Sequence, residues 1–448
     1  MNRKTGNFIL SLSKAILFIA VISVFFFGIQ YFYPYTLYYR WGNVMVMVLY
    51  TGILYFISRL YNGFNFGNVT YQEILLSWAL CLIIAIVVQY FVFSLRAVRL
   101  LTLNGFLITL SAQFFIVLPM TAIINRLYYR FNPPHRTAII YGNAAKLPVY
   151  RELITKQRRK FRVVEQISQN EAPRKILDIV DASESIFFMD VEDEKQDWLF
   201  EYCYLHNKST YIMPMFKSIL INTADTIWLS NTPMFALKSP EPDVGTLMIK
   251  RFLDIAVSLI GIILTSWLML GVWVAVRFYD NHPAIYKQVR VTKGGRLFTL
   301  YKFRSMRPDA EDDGVPRLTS KDDDRITPFG RFIRKTRIDE LPQLFNVLSG
   351  SMSIVGPRPE RPEIAKQYEE VYPNFAFRTR VKAGITGFAQ IYGQYNTAPE
   401  EKLFLDIMYI ETFSILEDIK LMLQTVKVIF KGSSTEGIDD GSTTALRK

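Results

Sequence analysis

Sulfur and imidazole are scarce in this chain. Its 448 residues hold two cysteines, Cys81 and Cys203, and three histidines, His135, His206 and His282. Two thiols, one of them in an apolar run, imply no disulfide framework, and three scattered imidazoles build no histidine-based metal site. A metal bound here is therefore expected to be hard and oxygen-ligated, with Mg²⁺ the first choice. Zinc-finger and RNA-binding signatures are also missing, so the net charge of +12 is not assigned to nucleic acid. It suits anionic lipid headgroups or phosphorylated substrates instead.

Charge itself is absent from long stretches. Half of the residues are hydrophobic, with 34 Phe and 25 Tyr, and they cluster. Ala15 to Tyr39 is uncharged and long enough to span a bilayer, and three more apolar runs follow: Trp41 to Ser58, Ile74 to Leu95 and Leu100 to Asn125. No small-residue cleavage site stands out near the first run, which reads as an anchor. Four spans, a transmembrane bundle over residues 1–130, return the chain to its starting side. Arg3, Lys4, Lys14, Arg59, Arg126, Arg130 and Arg136 lie on that side, against Arg40, Arg96 and Arg99 on the other, which puts both ends of the bundle in the cytoplasm. Ionisable residues are nearly absent from the spans, which argues against a transport pathway.

Glycine is missing where a dinucleotide fingerprint needs it. Residues 136–243 read as a soluble, small parallel α/β domain of Rossmann-like shape. Its strands are expected at Thr137 to Gly142, Val163 to Ser168, Ile186 to Val191 and Ser209 to Met215, separated by polar, helix-compatible segments. The first turn, Gly142 to Lys146, has one glycine instead of three, so no dinucleotide site is expected and regulation or dimerisation is the expected role.

A fifth uncharged run, Ile255 to Val276, lies between Lys250-Arg251 and Arg277. Its length permits a crossing, but cations at both ends suit a re-entrant helix over 251–277 whose ends face the cytoplasm. Ala284 to Val291 and Arg296 to Arg304 then read as a β-hairpin around Gly294-Gly295, with Lys302 and Arg304 on one face. Arg307 to Asp324 reads as a solvated, mobile loop.

Thr327-Pro328 opens a short helix carrying Phe329, Phe332, Ile333 and Thr336 on one side and Arg331, Arg334 and Lys335 on the other, suited to a lipid interface. Ile415 to Phe430 is a second interface helix. Between them, Asp339-Glu340 precedes Pro342, an apolar run and Gly350; Asp339 is expected as N-cap and Gly350 as the stop. Arg334 before the pair and Arg358 after it add counter-charges. Carboxylates flanked by cations suit phosphoryl transfer, although an acidic pair at a helix start is also common as a plain cap. The tail, 433–448, is polar and Gly/Ser-rich and reads as disordered.

Four motifs then occur in order: KRFLD (Lys250 to Asp254), YKQVRVTKGGRLFTLYKFRSM (Tyr286 to Met306), RKTRIDELPQLFNVLSGSMSIVGPRPERP (Arg334 to Pro362) and KAGITGFAQIYGQYNT (Lys382 to Thr397). Together they make residues 248–432 resemble the bacterial sugar transferases, in the form of the large monotopic phosphoglycosyl transferases. That resemblance implies a membrane protein with a four-helix transmembrane bundle, a Rossmann-like middle domain and a monotopic α/β catalytic domain. It implies transfer of a sugar-1-phosphate from a UDP-sugar to undecaprenyl phosphate with release of UMP, early in surface-polysaccharide or glycoconjugate synthesis. It places Asp339 as nucleophile, Glu340 as Mg²⁺ ligand, Arg334 and Arg358 on phosphates, Lys302 and Arg304 in the substrate pocket, and Gln390 as a further candidate. It further implies a multi-pass protein of the bacterial plasma membrane with its catalytic domain on the cytoplasmic face. A homodimer, and contacts with other polysaccharide-assembly proteins, belong to the same expectation. One departure stands out: the family's re-entrant helix carries a Ser-Pro break, and here the pair is Ser266-Trp267. A non-catalytic membrane scaffold that binds lipid phosphates is the competing reading.

Overall fold

The computed structural model describes residues 3–34, 41–213, 216–237, 242–280, 282–307, 310, 323, 325–393 and 399–431. Most of the loop expected over 307–324, Arg40, residues 394–397 of the last motif and the tail expected to be disordered lie outside them. The chain divides into two compact units, Met1–Met213 and Pro214–Lys448.

The first unit begins with four apolar helices: α1 (Arg3–Phe32), α2 (Trp41–Leu60), α3 (Tyr71–Ala97) and α4 (Asn104–Phe131). All four are long and apolar enough to cross a membrane. The first starts twelve residues before the expected run, at Arg3 rather than Ala15, and ends at Phe32. The proline ring of Pro34 accounts for that end, because it disfavours helical geometry in the residue before it. Thr70 caps α3 by accepting the Glu73 N–H (3.3 Å). Gln113 of α4 is fully buried and donates to Val21 O (2.8 Å) and to Tyr50 Oη (2.7 Å), so one amide ties three helices together. A polar group in an apolar interior is held to its partners because no water competes for it.

The same unit continues as an α/β domain of β1 (His135–Tyr141), α5 (Leu147–Thr155), β2 (Phe161–Ser168), α6 (Pro173–Ala182), β3 (Ser185–Met189), α7 (Asp193–Leu205) and β4 (Ser209–Ile212). Its sheet is wholly parallel in the order β2-β1-β3-β4, with all four expected strands present. Gly142 is required by packing: a Cβ there would lie 1.8 Å from the Asp190 carbonyl oxygen. The glycine thus lets the ends of β1 and β3 approach each other. Asp190, at the carboxyl end of β3, takes hydrogen bonds from Lys146 Nζ (2.9 Å) and the Tyr150 hydroxyl, so side chains of the domain itself occupy this edge.

The expected end of the middle domain at residue 243 moves back to Met213. The next helix, α8 (Phe216–Asn222), belongs to the second unit: Ile219 is buried against Ile364, Tyr368, Phe375, Leu403 and Ile407. A hairpin of β5 (Asp225–Leu229) and β6 (Thr232–Ala236), not anticipated from the sequence, follows.

The fifth long apolar helix, α9 (Val244–Asp280), covers the run expected as a re-entrant helix over 251–277. It runs unbroken for 37 residues, about 55 Å at 1.5 Å per residue. Helical structure continues through Ser266-Trp267. Without proline every backbone N–H of the segment remains a usable donor, and Thr265 and Ser266 bond back to Gly261 O and Ile263 O within the helix. One stripe of α9 packs on the second unit throughout. Asp254 and Ser258 are buried near its start, Gly261 faces Leu344, and Val272 and Val276 are buried near its end. The opposite stripe, including Phe252, Ile263, Trp267 and Phe278, is exposed.

The rest of the unit comprises the antiparallel hairpin β7 (Ile285–Val291) and β8 (Leu297–Phe303), α10 (Pro328–Lys335), α11 (Gln343–Ser349), β9 (Ser353–Val355), α12 (Pro362–Val371), β10 (Gly384–Thr386), α13 (Phe388–Ile391), α14 (Pro399–Glu411) and α15 (Ile415–Lys431). The hairpin turns at Gly294 and Gly295, both at positive φ (68° and 73°), which L-residues adopt at a penalty. Asn346 of α11 joins helix to strand: Nδ2 donates to Thr299 O (2.7 Å), and Oδ1 accepts from Tyr301 N (3.0 Å). Asn346→Leu would leave both β8 groups unpaired in a buried setting, a loss of about 2–4 kcal/mol. A fall of several degrees in the unfolding midpoint of the detergent-solubilised full chain is expected. An unchanged midpoint would show that this bridge does not hold α11 to the sheet.

Candidate active site

The segment around Asp339 is shaped by three local signals. Thr327 caps α10 by accepting the Gly330 N–H (2.9 Å), with Pro328 in the first turn as expected. Arg337 then adopts left-handed geometry (φ +56°) and reverses the chain into a single 3₁₀ turn, Ile338–Glu340. Gly350, also left-handed (φ +86°), ends α11 as expected and donates to Val347 O. Asp339, however, is not the N-cap. That position belongs to Pro342, and Asp339 lies in the preceding 3₁₀ turn, with Leu341 and Pro342 between that turn and the helix.

Three elements bring counter-charges to the carboxyl pair. Glu340 Oε1 receives Lys302 Nζ from β8 at 3.1 Å and Arg358 Nη2 from the turn after β9 at 2.9 Å. Arg337 Nη1 lies 4.0 Å from Oε2. Burial alone would raise the pKa of Glu340, but Arg358, Lys302 and Arg337 outweigh it and hold the carboxyl well below the usual range. Lys302 is itself lowered by burial, and Glu340 offsets part of that effect.

Asp339 responds in the opposite direction. It is 8% exposed, and burial pushes its pKa up to about 6, aided by the charge of Glu340 and opposed by Lys302, Arg334 and Arg358. Two neighbouring carboxyls are thus driven apart: Glu340 is a permanent anion, and Asp339 exchanges its proton near neutrality. With both ionised, four cations (Lys302, Arg334, Arg337, Arg358) against two carboxylates leave a local charge of +2. A site of this kind is built to receive a polyanion.

Of the residues singled out from the sequence, Asp339, Glu340, Lys302, Arg358 and Arg334 gather here. Arg304 and Gln390 do not: no hydrogen bond or ion pair joins either to the pair among the described residues. Arg304 lies past the end of β8, where its N–H donates to Ala284 O (2.9 Å), and alternation along a strand no longer sets its direction. Gln390 is buried at 8% exposure, and neither amide atom has a hydrogen-bond partner. Arg337 was overlooked in the sequence, although its position three residues before Glu340 was the available signal. Among the described residues no three His, Cys, Asp or Glu side chains cluster as a metal cage. Two adjacent carboxyls nevertheless suit Mg²⁺, which commonly takes one or two carboxylates and completes its octahedron with substrate phosphates and water.

Comparison with known proteins matches this unit. Residues 245–432 fit the family described as bacterial sugar transferase. Residues of this chain are 43% identical over 201 positions to the galactosyl transferase CpsE of Streptococcus agalactiae serotype III (strain NEM316), covering 42% of this chain and 44% of that protein. A UDP-glucose:undecaprenyl-phosphate glucose-1-phosphate transferase of Klebsiella pneumoniae is 41% identical over 191 residues, 42% of this chain and 40% of that protein. The uncharacterized sugar transferase EpsL of Bacillus subtilis (strain 168) is 40% identical over 185 residues, 41% of this chain but 88% of that protein. The match thus spans less than half of the first two relatives.

The raised pKa of Asp339 has a consequence for stability. Relative to an unfolded value near 3.9, a folded value of about 6 means that stability present below pH ~4 is lost as pH rises through 6. In chelated buffer at pH 8, Asp339→Asn should therefore be more stable than the wild type, by on the order of 2 kcal/mol, and the gain should shrink as pH falls through 6 and vanish only below the unfolded value near pH ~4. Unfolding midpoints across this pH range measure it; an Asn variant less stable at pH 8 would contradict the assigned direction.

Proposed function

The chain belongs to the bacterial sugar transferase family, and on that basis we propose that it moves a sugar-1-phosphate from a UDP-sugar onto undecaprenyl phosphate, releasing UMP. The observation that carries this reading is the opposed acidity of Asp339 and Glu340 inside a group of four cations. A buried carboxylate that ionises near neutrality is a nucleophile freed of much of its hydration, and phosphate oxygens are the anions those cations would take up.

In the first half-reaction an Asp339 Oδ attacks the β-phosphorus of the UDP-sugar. The new O–P bond forms as the bridging P–O bond breaks, and the electron pair leaves with UMP. In the second, an oxygen of undecaprenyl phosphate attacks the same phosphorus and returns Asp339 as a carboxylate. Lys302, Arg334, Arg337 and Arg358 hold the non-bridging oxygens through both steps. Glu340, beside Asp339, would hold Mg²⁺ together with the substrate's phosphates, and the ion would supply charge screening of the diphosphate. The relatives' names differ in the sugar, galactose in one and glucose in another, and no contact in this site singles out a hydroxyl configuration.

Membrane attachment forms part of the proposal. In this reading the four helices of the first unit cross the plasma membrane, which their length and apolar character support, and the cation bias of their ends supports a second unit on the cytoplasmic face. Within that unit α9 stays on one side of the bilayer without a hairpin. Its packed stripe binds it lengthwise to the polar catalytic core, and its exposed stripe enters the lipid. Single cysteines introduced at Val244 and Phe278 should both be labelled only from the cytoplasm; external labelling at Phe278 would establish a crossing.

Purified protein with Mg²⁺, undecaprenyl phosphate and UDP-glucose, UDP-galactose or UDP-N-acetylgalactosamine should release UMP. Asp339→Asn should abolish the release, and Glu340→Gln should reduce it by roughly a hundredfold or more. Mass spectrometry of protein trapped without the lipid acceptor should find the phosphosugar on the peptide containing Asp339. Release of UDP in place of UMP would overturn phosphosugar transfer.

A further inference from the structure

Beneath the turn that carries Arg358 lies a second group of charges that the chemistry above does not use. Arg378, on the turn Pro373–Arg380, is 6% exposed and rests over the Phe375 ring, its Cζ 4.7 Å from the centroid. Its Nη2 donates to the main-chain carbonyl of Arg358 (2.8 Å) and pairs with Asp406 of α14 (2.7 Å). Arg290 of β7 donates through Nη1 to Pro359 O (3.0 Å), and the Val291 N–H donates to Glu360 O (3.1 Å). Three consecutive carbonyls, 358 to 360, are therefore held from below by donors on two separate elements. The Glu360 carboxylate turns down into the same group, 3.6 Å from Arg378, 3.9 Å from Arg290 and 3.9 Å from Lys402.

We propose that Arg378, with Arg290 beside it, is a positioning residue that aims the Arg358 guanidinium at Glu340 by fixing the main chain of Arg358. The inference rests on the reading of Arg358 as a phosphate-holding cation. Proline on either side, Pro357 and Pro359, already fixes φ at two positions. Arg378 removes the remaining freedom of the segment by holding its first carbonyl. Arg358 is half-exposed at the site, so its reach depends on where its Cα is held. A displacement of about 1 Å in a substrate-holding group costs on the order of a hundredfold in rate.

A test must separate positioning from stability. Removing Arg378 alone strands Asp406, so the informative variant is Arg378→Met combined with Asp406→Leu, which deletes the buried pair without leaving a lone charge. Activity is UMP release from whichever of the three UDP-sugars the wild type uses. In a paired variant whose unfolding midpoint stays within a few degrees, kcat/KM should fall at least tenfold. Adding Arg358→Met should then lower it no further than Arg358→Met does alone, because both changes remove one interaction. Wild-type kcat/KM in the folded pair variant, or losses that multiply with Arg358→Met, would overturn the proposal. If the pair variant unfolds, Arg378→Lys, which keeps the charge opposite Asp406 but not the forked donor, carries the same non-additivity test. Full activity of Arg358→Met by itself would instead remove the phosphate-holding reading, and a wild type that releases no UMP would remove the proposed transfer.

Discussion

An anion that must stay ionised while buried is the constraint around which the second unit is assembled. Glu340 meets it only because cations from β8, from the turn after β9 and from the residue three before it converge on one carboxylate. Each of those elements has to be held in place, and the holding contacts are themselves polar and buried. Asn346 ties α11 to β8, and Asp254 Oδ1 accepts from Ser353 Oγ (3.0 Å) and Ile354 N (2.9 Å). Lys250 Nζ donates to Val355 O (3.1 Å) and pairs with Asp418 (2.5 Å), and Tyr409 bonds the same carbonyl and the same carboxylate. A partly satisfied network of this kind would be worse than an apolar core, so its completeness fixes the geometry as well as the stability.

Those contacts also give the KRFLD motif a physical role. Lys250, Arg251 and Asp254 lie on the packed stripe of α9, where Arg251 donates to Val347 O (2.6 Å) and Leu348 O (2.7 Å) at the end of α11. Cations at a helix C-terminus complete carbonyls that have no partner within the helix. The first turns of α9 thereby lock the strand and helix that flank the carboxyl pair. Farther along, Gly261 lets Leu344 approach closely, and Val272 and Val276 share a core with Ile333, Ile338 and Leu341. A helix apolar enough to cross a bilayer thus also packs one stripe against the residues that flank the carboxyl pair.

Much of this was legible along the chain because it depends on neighbours in sequence. Uncharged runs announced the long helices, β-rich runs between polar segments announced the four parallel strands, and Thr327, Pro328, Gly294, Gly295 and Gly350 marked caps and turns through their own backbone preferences. Elsewhere local spacing did not settle the outcome. Asp339 falls in the 3₁₀ turn Ile338–Glu340, and Pro342 takes the cap. In α9 helical structure runs through Ser266-Trp267, where no proline interrupts it. The boundary at residue 243 moved because Ile219 finds its apolar neighbours near residues 364–407.

By itself, then, the amino-acid order determined which segments are apolar enough for lipid, which form strands, and that two carboxyls stand amid cations in a family's motif, since all of these follow from composition and local spacing. Only the tertiary structure decided that Asp339 and Glu340 have opposite acidities, that Lys302 and Arg337 reach the pair while Arg304 and Gln390 do not, and that Arg358 stands on a buried ionic support. Desolvation and Coulomb energy depend on distance through space, and no spacing along the chain encodes them.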